Sequence, residues 1–178
     1  GPATDVAALT ELRQAMAERI LFLYEEANDI LILTNEDHRI VEANRRAVKE
    51  YGYSIRELKG MSMRNIRAPE MRAEFERSHG ELENPLGVIR ETVHLRKDGS
   101  IFPVECSIRR VEIGGRWYYQ SIIRDITERK RTEEETRRND NRMRSLVSIL
   151  QYRASSVQDF LDYALDEAIR LTESTIGY

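Results

Sequence analysis

The sequence predicts an α+β fold: a five-stranded antiparallel sheet with short helices on one face, flanked by N-terminal and C-terminal amphipathic helices. Three observations carry this. Short apolar runs come as a group of two and then a group of three, with helix-capping signals between the groups. Asp98-Gly99 and Gly114-Gly115 stand where hairpins would turn. The three-four apolar spacing of a helix governs the chain before residue 28 and again from Met143 onward.

The elements follow in order. Val6, Leu9, Met16, Ile20, Leu23 and Ala27 make a coiled-coil-like seam over residues 6–27, interrupted by Arg13. Such a short seam suits either dimerisation or packing on the chain's own domain. Ile30-Leu31-Ile32-Leu33 and Arg39-Ile40-Val41-Glu42 read as two strands around a turn at Asn35-Glu36-Asp37. Asn44 is placed to cap a helix that runs through Tyr51 and stops at Gly52. Ser54 and Glu57 have capping-box spacing for another short helix, closed by Gly60. Pro69 suits the first turn of a third, which carries Met71, Phe75 and His79. Strands are expected at about 88–96, 101–112 and 116–124. A helix dense in mixed charge covers 128–145 and turns apolar at Met143, Val147 and Leu150. Ser156 with Asp159 offers a cap for a fresh helix near Val157, the alternative to one continuous helix.

Composition excludes several functions. A net charge of -3 gives no case for nucleic acid or a charged membrane surface. No apolar run approaches the roughly 20 residues that span a bilayer, and no signal-peptide pattern stands in the sequence, which says little about a longer parent. A single cysteine, Cys106, rules out an internal disulfide framework and fits a reducing, cytoplasmic compartment. Three histidines without clustered carboxylates argue against a metal site. No phosphate-cradling loop and no nucleophile-base spacing stands out, so no enzyme is expected in this chain. Gly1-Pro2 looks like a cleavage scar, and the end at Gly177-Tyr178 is abrupt, which suggests a fragment of a longer protein.

Five pieces in order now carry a family. They are Asp29-Ile30-Leu31-Ile32-Leu33-Thr34, Ile40-Val41-Glu42-Ala43-Asn44, Tyr51-Gly52-Tyr53-Ser54 with Glu57-Leu58-Lys59-Gly60, Arg96-Lys97-Asp98-Gly99, and Arg124-Asp125-Ile126-Thr127-Glu128-Arg129-Lys130. Together they resemble a PAS sensory domain of the S-box kind. The run Phe160-Leu161-Asp162-Tyr163-Ala164-Leu165-Asp166-Glu167-Ala168, with residues 174–178, resembles the opening of a GAF domain. That order is similar to the input half of prokaryotic sensor histidine kinases or diguanylate cyclases. The resemblance implies a helix at 1–27, a PAS domain at 28–127, a signalling helix at 128–155 and the start of a GAF domain at 156–178. It also implies a homodimer aligned through Val6, Leu9, Met16, Ile20, Leu23, Met143, Val147 and Leu150, and linked downstream output domains.

A ligand of such a domain lies between the inner sheet face and the helices, so side-chain parity names its lining. Phe102, Val104, Cys106 and Ile108 share one face, joined across Gly114-Gly115 by Tyr119, Ser121 and Ile123. The strand before Asp98-Gly99 has two registers. A two-residue turn points Ile89, Val93 and Leu95 inward; a three-residue loop points Arg90, Thr92 and His94 inward instead. The resemblance favours the second, which leaves Ile89, Val93 and Leu95 outside, to be covered by the N-terminal helix. Arg90, Thr92 and His94 with Tyr119 and Ser121 would then suit a small anionic or hydrogen-bonding organic ligand. The alternative is that Arg90 pairs with an acid and His94 is a satisfied strand residue. The cysteine motif of flavin photoreceptor domains is missing, and Cys106 reads as a small core residue. In haem-binding relatives a histidine precedes an aromatic by about one turn; here Arg72 holds that position before Phe75, and His79 follows it. Neither haem nor FAD is expected. Asp125 and Thr127 are placed to tie the last strand to the following helix and relay a change. A ligand-free dimerisation scaffold is the competing reading.

Overall fold

The structure is a computed structural model that describes residues 2–176, with side chains from 5 to 172. Gly1 and Gly177-Tyr178, and with them parts of the expected scar and of the GAF-like tail, lie outside the described residues. Two compact units are present, Gly1–Thr127 and Glu128–Tyr178.

The first unit runs α1 (Pro2–Glu25), β1 (Ile30–Thr34), β2 (Ile40–Ala43), α2 (Arg45–Tyr51), α3 (Ile55–Leu58) and α4 (Arg72–Arg77), with short 3-10 turns before and after α4. β3 (Val88–Leu95), β4 (Ile101–Ile113) and β5 (Arg116–Asp125) complete it. One antiparallel sheet holds the strands in the order β2-β1-β5-β4-β3. The expected α+β fold is therefore the one observed.

Local chemistry explains the elements. The β4–β5 hairpin turns at Gly114-Gly115, where both residues have positive φ, the geometry that a two-residue hairpin matched to sheet twist requires. Ser54 accepts the Glu57 N–H while Glu57 accepts the Ser54 N–H, so the capping box of α3 is complete. Lys97 reaches the same Glu57 carboxylate at 2.6 Å, and these bonds hold its pKa down at about 2.

Asn44 does more than cap α2. Its Oδ1 accepts from Ala47 N and from Leu31 N, while its Nδ2 donates to the carbonyls of Tyr24 and Asp29. One fully buried side chain thus joins the end of α1, the start of β1 and the first turn of α2. Further contacts at the end of α1 come from Arg45, whose N–H donates to Glu25 and whose guanidinium pairs with Glu26.

The core lies between the inner sheet face and the short helices. Ile30, Ile32, Phe102, Val104, Cys106 and Ile123 face Ala47, Tyr51, Leu58, Met63, Ile66 and Leu82. The outer face differs from expectation. Ile89 is 73% exposed, and Val6, Leu9, Met16, Ile20 and Leu23 of α1 are all exposed as well. So α1 does not cover Ile89; among the described residues the side-chain bonds that fasten it lie at its last turn, from Asn44 and Arg45.

The second unit is a helical hairpin of α5 (Thr127–Gln151) and α6 (Val157–Ile176). The break between them has a cause. Ser156 Oγ accepts from Asp159 N, and the Asp159 carboxylate takes bonds from Ser155 N, Ser155 Oγ and Tyr152 Oη. Tyr152 stacks on Tyr163 at 3.9 Å, and Ser145 donates to the buried Glu167, which also pairs with Arg170. Met143, Val147 and Leu150 stay exposed.

Replacing Asn44 tests its place as a hub. Asn44→Ala removes the side-chain partner of four backbone groups at once, of which Ala47 N alone keeps a bond to the residue 44 carbonyl, so unfolding in urea is expected to show a loss of about 3 kcal/mol. Asn44→Asp keeps the acceptor but sets a buried carboxylate oxygen against the carbonyls of Tyr24 and Asp29, so it should lose at least as much.

Candidate functional site

The geometry of the inner face is set at the β3–β4 loop. Arg96 N donates to Ser100 O, and Lys97-Asp98-Gly99 make a three-residue loop closed by Gly99 at φ 86°. Leu95 then pairs with Ile101, His94 with Phe102, Thr92 with Val104 and Arg90 with Cys106. This is the second of the two registers, so Arg90, Thr92 and His94 share the inner face with β4 and β5.

A buried polar cluster forms around His94. Its Nδ1 lies 2.7 Å from the Tyr51 hydroxyl, and its Nε2 bonds Arg67 Nη1. Cys106 Sγ is 3.8 Å from the same Nε2. Arg67 arrives because the chain leaving the 3-10 turn Met63–Ile66 pairs with β3: Arg67 bridges to His94, and Ala68 N donates to Val93 O. A guanidinium only donates, so Nε2 accepts, and neutral His94 carries its proton on Nδ1 and gives it to Tyr51 Oη. Burial and then the Arg67 charge hold the His94 pKa well below its ordinary value. Burial likewise pushes the Tyr51 hydroxyl and the Cys106 thiol up, leaving an unreactive thiol.

Cation–ring contacts extend the cluster. The Arg67 guanidinium lies 5.0 Å from the Phe75 ring centre. Phe102 stands edge-on to His94 and carries the Arg96 guanidinium 3.7 Å above its ring. Arg96 in turn donates to Glu50 O and reaches Asp125 Oδ2 at 3.4 Å. At the strand end, Asp125 Oδ1 accepts from Thr127 N at 2.8 Å, and Ile126 N donates to Pro103 O. A line of contacts therefore runs from Arg67 through His94, Phe102 and Arg96 to Asp125 and Thr127.

The remaining expected lining residues divide. Arg90, Thr92 and Ile108 border a cavity of about 20 Å3 that they share with Arg67, Phe75 and Leu82. His94 is fully occupied by its partners, and Arg90 pairs with Glu81 at 3.1 Å. Val104, Cys106, Ser121 and Ile123 are packed into the core. Tyr119 donates its hydroxyl to Glu83 at 3.0 Å, and its ring stacks under His38. His38, with φ 56°, also stands 4.0 Å from the His79 ring. Burial lowers both imidazoles, each further lowered by nearby groups: His79 and Arg67 for His38, Arg90 for His79. Sequence reasoning missed Arg67 and the hydroxyl of Tyr51. The one signal for Arg67 is a lone cation between the apolar residues Ile66 and Ala68, just before Pro69.

Comparison with known proteins places these observations. The description of the PAS domain family matches residues 28–128. A methyl sulfide methyltransferase-associated sensor from Methanosarcina acetivorans is 32% identical over 161 residues, which is 90% of this chain and 16% of that protein. The chain thus spans about a sixth of that relative's length. The PAS domain of an HTR-like protein from Haloarcula marismortui superposes with a TM-score of 0.62 at 23% identity, over 67% of this chain and 99% of that one. A PAS domain from Colwellia psychrerythraea gives 0.58 at 21% identity, over 64% and 98%.

The cluster makes the fold acid-sensitive. His94 has a lower pKa folded than unfolded, so its stabilising share is full above pH about 6.5 and shrinks as pH falls below it. His38 and His79 act in the same direction. Urea midpoints should fall between pH 7 and pH 5, with His94 contributing up to about 1.4 kcal/mol per pH unit. His94→Asn should flatten that profile; an unchanged slope would contradict the assignment.

Proposed function

The chain belongs to the PAS domain family over residues 28–128, and from that premise we propose that it is the sensory input and dimerisation module of a longer signal-transduction protein. A change on the inner sheet face is passed through Asp125-Ile126-Thr127 into α5. The observation that supports this most is the contact line from Arg67 and His94 through Phe102 and Arg96 to Asp125. It ends on the backbone of the first residue of α5.

Packing bears on what the module responds to. Sites for organic ligands are commonly about 300–1,000 Å3. Here Tyr51, Phe102, His94 and Arg67 are buried in the interior, and the space that Arg67 borders with Arg90 and Thr92 is about 20 Å3. That favours a signal entering as a rearrangement of packed side chains or of an interface over a preformed organic-ligand site lined by Arg90, Thr92, His94, Tyr119 and Ser121. The same fullness supports the second reading, a constitutive scaffold that only aligns two copies. A two-state arrangement of the cluster separates the two, because a relay needs an element with two arrangements for a signal to bias.

Dimerisation is part of the proposal. Val6, Leu9, Met16, Ile20 and Leu23 on α1, with Met143, Val147 and Leu150 on α5, are exposed apolar side chains that a second copy would bury. A GAF domain beginning near α6, an output such as a histidine kinase or diguanylate cyclase, and a cytoplasmic location complete the reading. They rest on the sequence resemblance and, for location, on the single buried thiol of Cys106. No helix among the described residues is long and apolar enough to cross a membrane.

Two outcomes are expected. Asp125→Ala should leave the sheet folded but speed amide hydrogen exchange in the first turns of α5 and uncouple the parent's output; protection equal to wild type would count against the relay. In sedimentation the wild-type chain should be dimeric, and Leu9→Glu with Ile20→Glu should shift it to monomer without loss of sheet structure.

A further inference from the structure

His94 belongs to the inner cluster, but the other two histidines face each other. His38 stands in the β1–β2 connection, where its carbonyl accepts Met63 N at 2.9 Å. His79 stands in the 3-10 turn Ser78–Glu83 that follows α4. Their ring centres are 4.0 Å apart, with the planes inclined by 31°. Tyr119 on β5 stacks on His38 at 5.0 Å, and Phe75 on α4 meets both imidazoles edge-on, at 5.7 and 4.8 Å. The rings thus join the sheet side of the domain to the helical segment over its inner face.

That segment depends on side chains for its attachment. Among the described residues, 72–83 make no backbone hydrogen bond to a strand. The Arg64–Glu76 pair is exposed on both partners and contributes little. A single proton on the histidine pair is tolerable, because ring faces attract an imidazolium. A second puts two like charges 4.0 Å apart. The surrounding groups do not offset this. Asp37 favours a proton on His38 while Arg67 opposes it; Glu76 favours one on His79 while Arg90 opposes it. Glu76 is already held by Arg64, Glu83 by Arg110 and the Tyr119 hydroxyl, and Glu36 reaches Arg110. Nε2 of His79 is buried without a partner, so a proton there finds no acceptor.

We propose that His38 and His79 form a proton-operated clasp, closed while the pair carries at most one proton and opened by the second, which frees residues 72–83 from the β1–β2 connection while the sheet stays paired. Burial lowers both imidazoles below the ordinary 6.5, so the clasp is closed above that pH and opens as pH falls through the folded values. Opening uncovers the core at Leu82 and takes the Phe75 ring from the Arg67 guanidinium. The clasp names a chemical input, the proton, and depends neither on the relay to α5 nor on dimerisation.

NMR of this chain between about pH 7.5 and pH 5 tests the clasp. The Phe75 ring and Leu82 methyl signals should move toward unstructured values as the second imidazole titrates, while the Ile30 and Ile123 methyl signals stay in place. His79→Phe keeps a ring and removes the second charge, so the Phe75 and Leu82 signals should hold to the lowest pH. His38→Asn suits the left-handed backbone at φ 56° and serves should His79→Phe fail to fold; its Phe75 and Leu82 signals should no longer depend on pH. Phe75 and Leu82 signals that stay unmoved down to about pH 5 overturn the proposal. The same movement in both variants also overturns it. So does movement shared by Ile30 and Ile123, which is global unfolding rather than a local release.

Discussion

The inner face of this domain depends on one short loop. The bond from Arg96 N to Ser100 O fixes three residues between β3 and β4, and Gly99 adopts the left-handed backbone that closes them. Strand parity does the rest: one residue fewer would turn His94, Thr92 and Arg90 outward and bring Ile89, Val93 and Leu95 in. The aliphatic alternative would give a drier core. The observed register instead puts an imidazole at the centre, and everything polar about the site follows from satisfying it. Tyr51 at the end of α2 and Arg67 in the segment before α4 are drawn to the same ring from opposite sides.

That arrangement explains why the interior is full. A buried imidazole needs partners on both nitrogens, and the partners available are long side chains with large apolar stems. Tyr51 and Arg67 therefore occupy volume as well as hydrogen-bonding capacity. Phe102 completes the packing and, by carrying Arg96 on its face, connects the centre of the domain to the strand end at Asp125. Polar satisfaction and physical continuity with α5 arise from the same residues.

Much of this was legible in the sequence where a local rule applied. The caps at Asn44 and Ser54, the hairpin at Gly114-Gly115 and the alternation along β4 and β5 each report on neighbours a few residues away, and each has the structure those rules imply. The β3 register was legible only as two choices, because Asp98-Gly99 is compatible with both loop lengths. Arg67 was not legible. Its burial comes from a backbone bridge to a strand 27 residues later, and nothing in its neighbourhood has a period. The exposure of α1 runs against the expectation that its apolar stripe would cover Ile89. Among the described residues its attachments are at the last turn, where Asn44 holds the carbonyl of Tyr24 and Arg45 bonds Glu25. A stripe reports that a partner surface is needed, not which molecule provides it.

Pro103 has a mechanical consequence. It lies on β4 one residue beyond the last pairing with β5, and its carbonyl still accepts Ile126 N. β5 is flanked on both sides, by β1 and by β4. Drawing β5 out of the sheet therefore requires two hydrogen-bonded ladders to shear together. The Pro103–Ile126 bond and the two oxygens of Asp125 lie outside those ladders, so their bonds can open while both ladders stay paired. The sheet therefore grips β5 along both of its sides, and grips the two residues that follow it by single bonds alone.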